Sequence, residues 1–192
     1  MKNTIVSIFK ELSLTEEILS DIEESFLEVN YKKGATILRS GEQVQHQYYV
    51  IKGCLRAFFI DDKGKEHTIQ FAISDWWISD YIGYFSKEKS VLNIECIEEA
   101  TLLKIAKKDI ENIYANYPQI ESFFRKKIEK SIVRFEKRIL ANLSQTAKER
   151  YLSFTKTYPN IEKHVKNYHI ASYLGITTES LSRIRKEIAT DK

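Results

Sequence analysis

Two short amphipathic runs that meet at a glycine constrain this chain more than any other stretch of it. In residues 167–188, Ile170, Ala171 and Leu174 share one face of a first helix. Gly175 stands where that helix must end, because glycine accepts the positive φ that turns the backbone tightly. The stretch therefore predicts a helix-turn-helix. The second helix has an apolar stripe of its own, formed by Leu181, Ile184 and Ile188.

The outer face of the second predicted helix carries side chains suited to reading DNA. A solvated helix usually shows paired Glu and Lys, whereas this face shows short hydroxyls and an arginine. In the major groove, Arg183 would contact guanine O6 and N7, and Glu179 would accept a hydrogen bond from cytosine N4. The alternative is an αα-hairpin whose outer face simply lies in solvent. The predicted contact set is Thr177, Thr178, Glu179, Ser180, Ser182, Arg183 and Lys186.

The charge of the chain divides unevenly at Pro118. Residues 1–117 hold 14 Lys and Arg against 19 Asp and Glu, a balance of −5, and residues 118–192 hold 16 against 8, a balance of +8. A basic C-terminal part indicates a polyanionic partner such as double-stranded DNA, bound with strong salt dependence. The alternative is that the two oppositely charged parts attract each other.

Residues 34–105 read as short strands separated by turns. Asp61–Lys65 has the composition of a hairpin turn, and His67–Ile73 alternates as the strand that returns from it. Such a series predicts an antiparallel sandwich or barrel. The other predicted strands cover residues 35–40, 47–52, 54–60, 91–97 and 101–105.

Helical spacing of apolar residues precedes the strands. A short N-terminal segment keeps this spacing at Ile5, Ile8, Phe9 and Leu12. Ser13 and Glu16, three residues apart, resemble a capping box that opens a second helix. The apolar stripe predicted for that helix is Ile18, Leu19, Ile22 and Phe26.

A long helix is predicted after the strands. A short helix at Lys107–Tyr114 precedes it, and the long helix then runs without Gly or Pro from about Gln119 to about Leu143. Apolar residues recur along it at the spacing of a coiled-coil seam, so we expect a dimer interface. The alternative is that the same chain covers this seam. The seam residues of the long helix are Ile128, Ile132, Phe135 and Ile139. A further helix is predicted at Ala147–Thr157.

Composition excludes several classes of protein. No apolar run reaches membrane-spanning length, and polar residues interrupt the start of the chain as no signal peptide would. Two cysteines, Cys54 and Cys96, indicate a reducing cytoplasm and cannot ligate a four-cysteine cluster; we expect both to be buried strand residues. With no nucleophile–base pair visible, the chain is not predicted to be an enzyme. Metal-ligand spacing is absent among His46, His67, His164 and His169, so no metal site is predicted.

The order of these parts resembles the Crp/Fnr transcription regulators. Gly34–Glu42, Tyr48–Gly53 and Asp61–Glu66 are similar to that family's β-roll repeats, and Ala171–Arg183 resembles its recognition motif. The resemblance implies a homodimer that binds a palindromic operator, with RNA polymerase as a further candidate partner. It also places three residues at the family's main base-contacting positions, namely Thr178, Glu179 and Arg183.

The predicted fold class is therefore α+β, in three parts. Residues 1–117 are expected to form an antiparallel, jelly-roll-like β-roll with flanking N-terminal helices. Residues 118–145 form the long dimerisation helix, and residues 146–192 form an all-α helix-turn-helix domain.

The region that would bind cyclic AMP departs from the family's pattern. The family's cassette is a Gly-Glu pair that holds the ribose, followed by an Arg-Ser or Arg-Thr pair whose Arg holds the cyclic phosphate. Here Asp80 and Ser79 replace the Glu and the Gly, and no arginine occurs between Arg56 and Arg125. A buried phosphate without a guanidinium is poorly compensated. Cyclic AMP is therefore not predicted as the ligand, and no cofactor is predicted.

Aromatic residues near this cassette leave two interpretations open. They either fill the core of the roll and its contact with the long helix, or line a pocket for an unidentified small-molecule effector. The residues of that candidate pocket are Trp77, Ser79, Asp80, Tyr81, Val91 and Leu92.

The family usually continues beyond the recognition helix with a β-hairpin wing, which this sequence is not expected to have. We expect nearby basic residues to replace the phosphate contacts of a wing. The rival interpretation is a ligand-binding regulatory module whose helix pair docks onto a protein partner without binding DNA. The expected replacements are Lys163, Lys166, Arg185, Lys186 and Lys192.

Overall fold

The computed structural model describes residues 2–190, with side chains from residue 3 onward. Its centre is a roll of two antiparallel sheets of four strands each. The described strands are β1 (Phe26–Tyr31), β2 (Thr36–Leu38), β3 (His46–Lys52), β4 (Leu55–Ile60), β5 (Glu66–Ala72), β6 (Trp77–Ile78), β7 (Asn93–Cys96) and β8 (Ala100–Ala106).

Pairs of strands that are distant in sequence close the roll. The order is β1-β8-β3-β6 in the first sheet and β2-β7-β4-β5 in the second. The predicted hairpin is present, because Ile60 pairs with Glu66 across the turn at residues 61–65. The prediction of an α+β chain with an antiparallel β-roll, a long helix and a helical C-terminal part is thus confirmed.

Helices flank the roll and follow it. In the described residues they are α1 (Lys2–Ile8), α2 (Glu16–Glu23), α3 (Tyr81–Ser86), α4 (Lys107–Asn116), α5 (Pro118–Ser144), α6 (Ala147–Thr157), α7 (Asn167–Leu174) and α8 (Thr178–Thr190), with a 3₁₀ turn at Ile161–Lys163. None of these helices is long and apolar enough to cross a membrane.

Two predictions at the N-terminal end are wrong. Phe26 opens β1 and pairs with Ile105 of β8, although its spacing of four residues from Ile22 imitates a helical stripe. The cap of α2 is Thr15, whose Oγ1 accepts a hydrogen bond from the Ile18 backbone N–H at 3.3 Å, so the box predicted from Ser13 does not form. The helix therefore starts later and ends earlier than its sequence suggests.

The main core lies between the two sheets and extends to the helices beside them. Val50, Leu55 and Leu102 are fully buried inside the roll. Phe9, directly after α1, and Phe124 of α5 pack into the same core, with their ring centroids 6.0 Å apart. The beginning of α5 is therefore packed into the core of the roll.

A second core joins the roll to the C-terminal helices. Cys54, Phe71 and Ile97 of the roll pack with Phe154 of α6 and Leu174 of α7. The division into residues 1–117, 118–145 and 146–192 stays a prediction, because this shared core spans it.

Both cysteines are buried free thiols. Cys96 lies in β7 as predicted, whereas Cys54 lies just before β4 and not within a strand. Burial raises the pKa of the Cys54 thiol to about 12 and that of Cys96 to about 11. Both side chains therefore stay protonated at neutral pH, which suits packing more than reactivity.

Candidate nucleic-acid interface

The corner between α7 and α8 has the geometry that the sequence predicts. Gly175 takes a left-handed conformation with φ of 66°, and its N–H donates to the carbonyls of Ala171 and Ser172. The Ile176 N–H also donates to the Ala171 carbonyl, at 3.0 Å. These hydrogen bonds pair carbonyl groups that would otherwise lack a donor at the end of the helix. The chain therefore leaves α7 and enters α8 within three residues.

Hydroxyl groups close the N-terminal end of α8. Thr177 Oγ1 accepts a hydrogen bond from the Ser180 backbone N–H at 3.2 Å and so caps the helix. Glu179 lies in the exposed first turn. Its own backbone N–H and the hydroxyls of Thr177 and Thr178 lower the pKa of its carboxyl group. Glu179 is therefore a pure hydrogen-bond acceptor at neutral pH, as a contact to cytosine N4 requires.

The predicted contact set faces outward from α8, while the opposite face is buried. Leu181 is fully buried and Ile184 is 5% exposed, and both pack in the second core. Neither Arg183 nor Lys186 takes part in an ion pair in the described part of the chain. In the contact set, Thr178 and Ser180 are half-buried, and the exposed members are Thr177, Glu179, Ser182, Arg183 and Lys186.

Arg185 is not a free phosphate ligand, which corrects one prediction. Its guanidinium bonds to the Asn167 side chain at 2.6 Å and to the Tyr151 hydroxyl at 3.2 Å, and pairs with Glu162 at 2.6 Å. These contacts tie α8 to α7, to α6 and to the 3₁₀ turn. Of the other replacements, Lys163, Lys166 and Lys186 are exposed, and Lys192 lies outside the described residues.

The helix-turn-helix docks on the edge of β5 through one serine that the sequence did not single out. Ser172 Oγ of α7 accepts from the Thr68 backbone N–H and donates to the Glu66 carbonyl, both at 2.9 Å. Half-buried Thr178 lines a cleft together with Gly64 and Lys65 of the β4–β5 turn. Beside it, burial lowers the pKa of His169 to about 4, so this imidazole is neutral at physiological pH.

Asp80 is fully buried and surrounded by protein donors. One carboxylate oxygen accepts from the backbone N–H groups of Ile82 and Gly83 at the start of α3, an element that the sequence did not predict. The other accepts from Ser90 Oγ at 2.8 Å and from the N–H groups of Val91 and Leu92 at 2.9 and 3.1 Å. Asp80 therefore joins α3 to the segment before β7, and both of its oxygens are engaged.

The other residues of the candidate effector pocket make contacts of their own. Ser79 is buried and donates to the His46 carbonyl at 2.8 Å. Trp77 packs against α5, with its ring centroid 5.1 Å from that of Phe124. Tyr81 is half-buried and stacks on Phe85. Within the predicted set, Val91 and Leu92 are hydrogen-bonded to Asp80. An effector pocket at these residues stays a prediction.

Arg56 is the last arginine before Arg125, and it is already paired. It is 1% exposed and lies 2.7 Å from a carboxylate oxygen of Glu66 and 2.6 Å from one of Glu95. Its guanidinium also covers the Phe58 ring at 3.9 Å. A buried cation held by two carboxylates is satisfied without a phosphate.

The predicted seam of α5 is exposed along its length. Its four residues are between 39% and 59% exposed although they are large and apolar. Contiguous exposed apolar side chains are typical of a surface that another chain covers. These residues are Ile128, Ile132, Phe135 and Ile139.

Comparison with known proteins agrees with this architecture. Residues 28–117 match the family described as the Cyclic nucleotide-binding domain. The chain is 26% identical to the transcriptional regulator Flp of Lacticaseibacillus casei, over 98% of this chain and 87% of that protein. Residues 28–117 are therefore similar to a cyclic nucleotide-binding domain, and the chain as a whole is similar to a bacterial transcriptional regulator.

Solved structures share the fold across most of the chain. FixK2 from Bradyrhizobium japonicum superposes with a TM-score of 0.76 at 19% identity, over 86% of this chain and 85% of that one. A Crp/Fnr-family regulator from Eubacterium rectale superposes with a TM-score of 0.70 at 17% identity, over 93% and 85%.

Proposed function

We propose that this protein is a dimeric, sequence-specific DNA-binding transcription regulator that acts in the cytoplasm. The observation that carries the proposal is that α8 has one buried and one exposed face. The buried face packs in the second core. The exposed face presents Arg183 and Lys186, which have no ion-pair partner in the described residues. Homology to transcriptional regulators and the basic C-terminal part support it. The cyclic nucleotide-binding domain would then act as the sensor, for an effector other than cyclic AMP.

Direct reading of bases is assigned to Arg183, which gives the first prediction. Replacing Arg183 with Ala should cost about 1–3 kcal/mol at one base pair, because a bidentate contact to guanine is lost. Replacing Lys186 with Ala should weaken binding to all duplexes alike and reduce the salt slope by about 1. Affinities for cognate and scrambled duplexes, measured over a range of salt concentrations, separate the two effects.

The result that contradicts this assignment is an Arg183→Ala variant whose ratio of cognate to scrambled affinity is unchanged. Absence of salt-dependent binding to any duplex would instead favour the rival function, a regulatory module that docks on a protein.

Dimerisation is assigned to the exposed seam of α5. Placing Glu at Ile132 and Phe135 should give monomers in sedimentation, because two buried carboxylates per chain would face each other across a twofold interface. Val133→Glu is the matched control, since Val133 is 47% exposed on the same helix but lies outside the seam spacing. A dimer that survives the double substitution would show that the seam is not the interface.

A further inference from the structure

A cleft of about 480 Å³ lies where the roll, α5 and the helix-turn-helix meet. Ile69 and Trp76 form its wall on the roll, α5 forms its floor, and Phe154 of α6 and Tyr173 of α7 close the far side. Sites for small molecules typically have this size and a largely apolar lining with few polar groups. The cleft is separate from Asp80 and from the predicted effector pocket.

The charges that line the cleft are all positive. Arg134, Lys137, Arg138 and Arg150 line it, and none of its lining residues is an aspartate or a glutamate. None of the four cations belongs to an ion pair within residues 3–190. Elsewhere on α5, Arg125 does pair with Glu129. An apolar cleft ringed by unpaired cations is complementary to an organic anion.

Two of these guanidinium groups are held against aromatic rings. The Arg134 guanidinium lies 4.8 Å from the centre of the Trp76 ring, and that of Arg138 lies 4.4 Å from the centre of the Tyr173 ring. Arg134 also donates to Ser131 Oγ at 3.0 Å. Such stacking fixes a guanidinium plane but leaves donors on its edge for a carboxylate or sulfonate.

Arginines of the cleft also connect the roll, α5 and the helix-turn-helix. Arg138 of α5 donates to the Ile69 carbonyl of β5 while it stacks on Tyr173 of α7. Arg150 donates to the Leu174 carbonyl at 3.3 Å, next to the turn, and to the Gln145 carbonyl at 2.7 Å, between α5 and α6. A ligand that recruits these guanidiniums would compete with contacts that set how the helix-turn-helix sits on the roll.

We propose that this cleft binds a small organic anion with an aromatic, apolar body, held through its acidic group by Arg134 and Arg138, and that its occupancy changes DNA affinity. The second half of this statement rests on the proposed function, whereas the first half does not.

The binding half is tested with two fluorescent probes that share a ring system. Anilinonaphthalene sulfonate carries an anionic group, and N-phenylnaphthylamine is the same ring system without it. We expect the sulfonate to bind saturably at one site per chain, and the Arg134→Gln, Arg138→Gln double variant to bind it about tenfold more weakly or worse, because two charge-assisted contacts are lost. The neutral probe should lose less than about threefold.

Two further variants keep this test decisive. Lys126→Gln with Lys130→Gln removes the same charge from exposed positions of α5 outside the cleft, and should leave sulfonate binding unchanged. Ala141→Trp fills the cleft and should abolish binding of both probes while the circular dichroism spectrum is retained. The proposal is overturned if Ala141→Trp still binds the sulfonate, or if the arginine variant loses both probes equally.

The coupling half is tested by adding the sulfonate to the protein–duplex complex. Saturating probe should shift the duplex dissociation constant at least about threefold in the natural protein and leave Ala141→Trp unaffected. An unchanged constant in both proteins overturns the coupling alone. If no duplex binds at all, the proposed function fails while the probe result still stands.

Discussion

Replacing Phe71 with Ala should cost about 3–5 kcal/mol of unfolding free energy. Phe71 lies on β5, is fully buried, and meets the rings of Phe154, Tyr158 and Tyr173 at centroid distances of 6.1, 5.9 and 5.5 Å. Its removal leaves a cavity between the roll and the C-terminal helices, which the surrounding rings cannot fill without losing their contacts. We therefore expect the second core to loosen as a unit.

Urea unfolding followed by circular dichroism and by tryptophan fluorescence measures this loss. In the natural protein the two signals should change together, because the second core joins both parts. Phe59→Ala is the matched control: Phe59 is 36% exposed on β4, so it should cost about 1 kcal/mol or less. A loss below about 1 kcal/mol for Phe71→Ala would contradict the docking of the helix-turn-helix on the roll.

Replacing Asp80 with Ala should cost about 3 kcal/mol or more. The substitution leaves buried N–H groups of α3 and of the segment before β7 without an acceptor, and each unsatisfied group costs about 1–3 kcal/mol. The unfolding free energy of Asp80→Asn should lie between those of the natural protein and Asp80→Ala. One acceptor oxygen remains in Asn, but its amide NH₂ group faces backbone N–H groups that are donors themselves.

The measurement is again the unfolding free energy, with Asp62→Ala as the control at an exposed aspartate in the β4–β5 turn. That control should stay within about 0.5 kcal/mol of the natural protein. A similarly small change for Asp80→Ala would mean that its carboxylate does not hold α3 in place. It would also reopen Asp80 as a residue free to bind a ligand.

Local patterns account for the parts of this structure that the sequence predicted. The corner at Gly175 and the stripe of α8 depend on residues within a few positions of one another. The β4–β5 hairpin is local in the same sense. For these elements, periodicity and turn chemistry determine the backbone before any distant contact forms.

The predictions that the structure corrects concern residues whose contacts lie far away in the sequence. Phe26 has helical spacing from Ile22, yet pairing with β8 places it in a strand. By sequence, Arg185 is a candidate phosphate ligand, but in the fold its guanidinium is bound by the side chains of Glu162 and Asn167. Ser172 holds the docked position through backbone groups more than a hundred residues earlier in the chain. Burial and partners of single polar residues are set by the assembled fold, which one sequence does not reveal.

The central claim is that α8 reads DNA in a sequence-specific way. Selecting bound duplexes from a random pool tests it most directly. We predict enrichment of a palindrome whose half-sites lie about 34 Å apart, and loss of preference at one base pair in each half-site when Arg183 is replaced by Ala. A bound pool that stays random in sequence, or an Arg183→Ala variant that enriches the same site to the same degree, would contradict it.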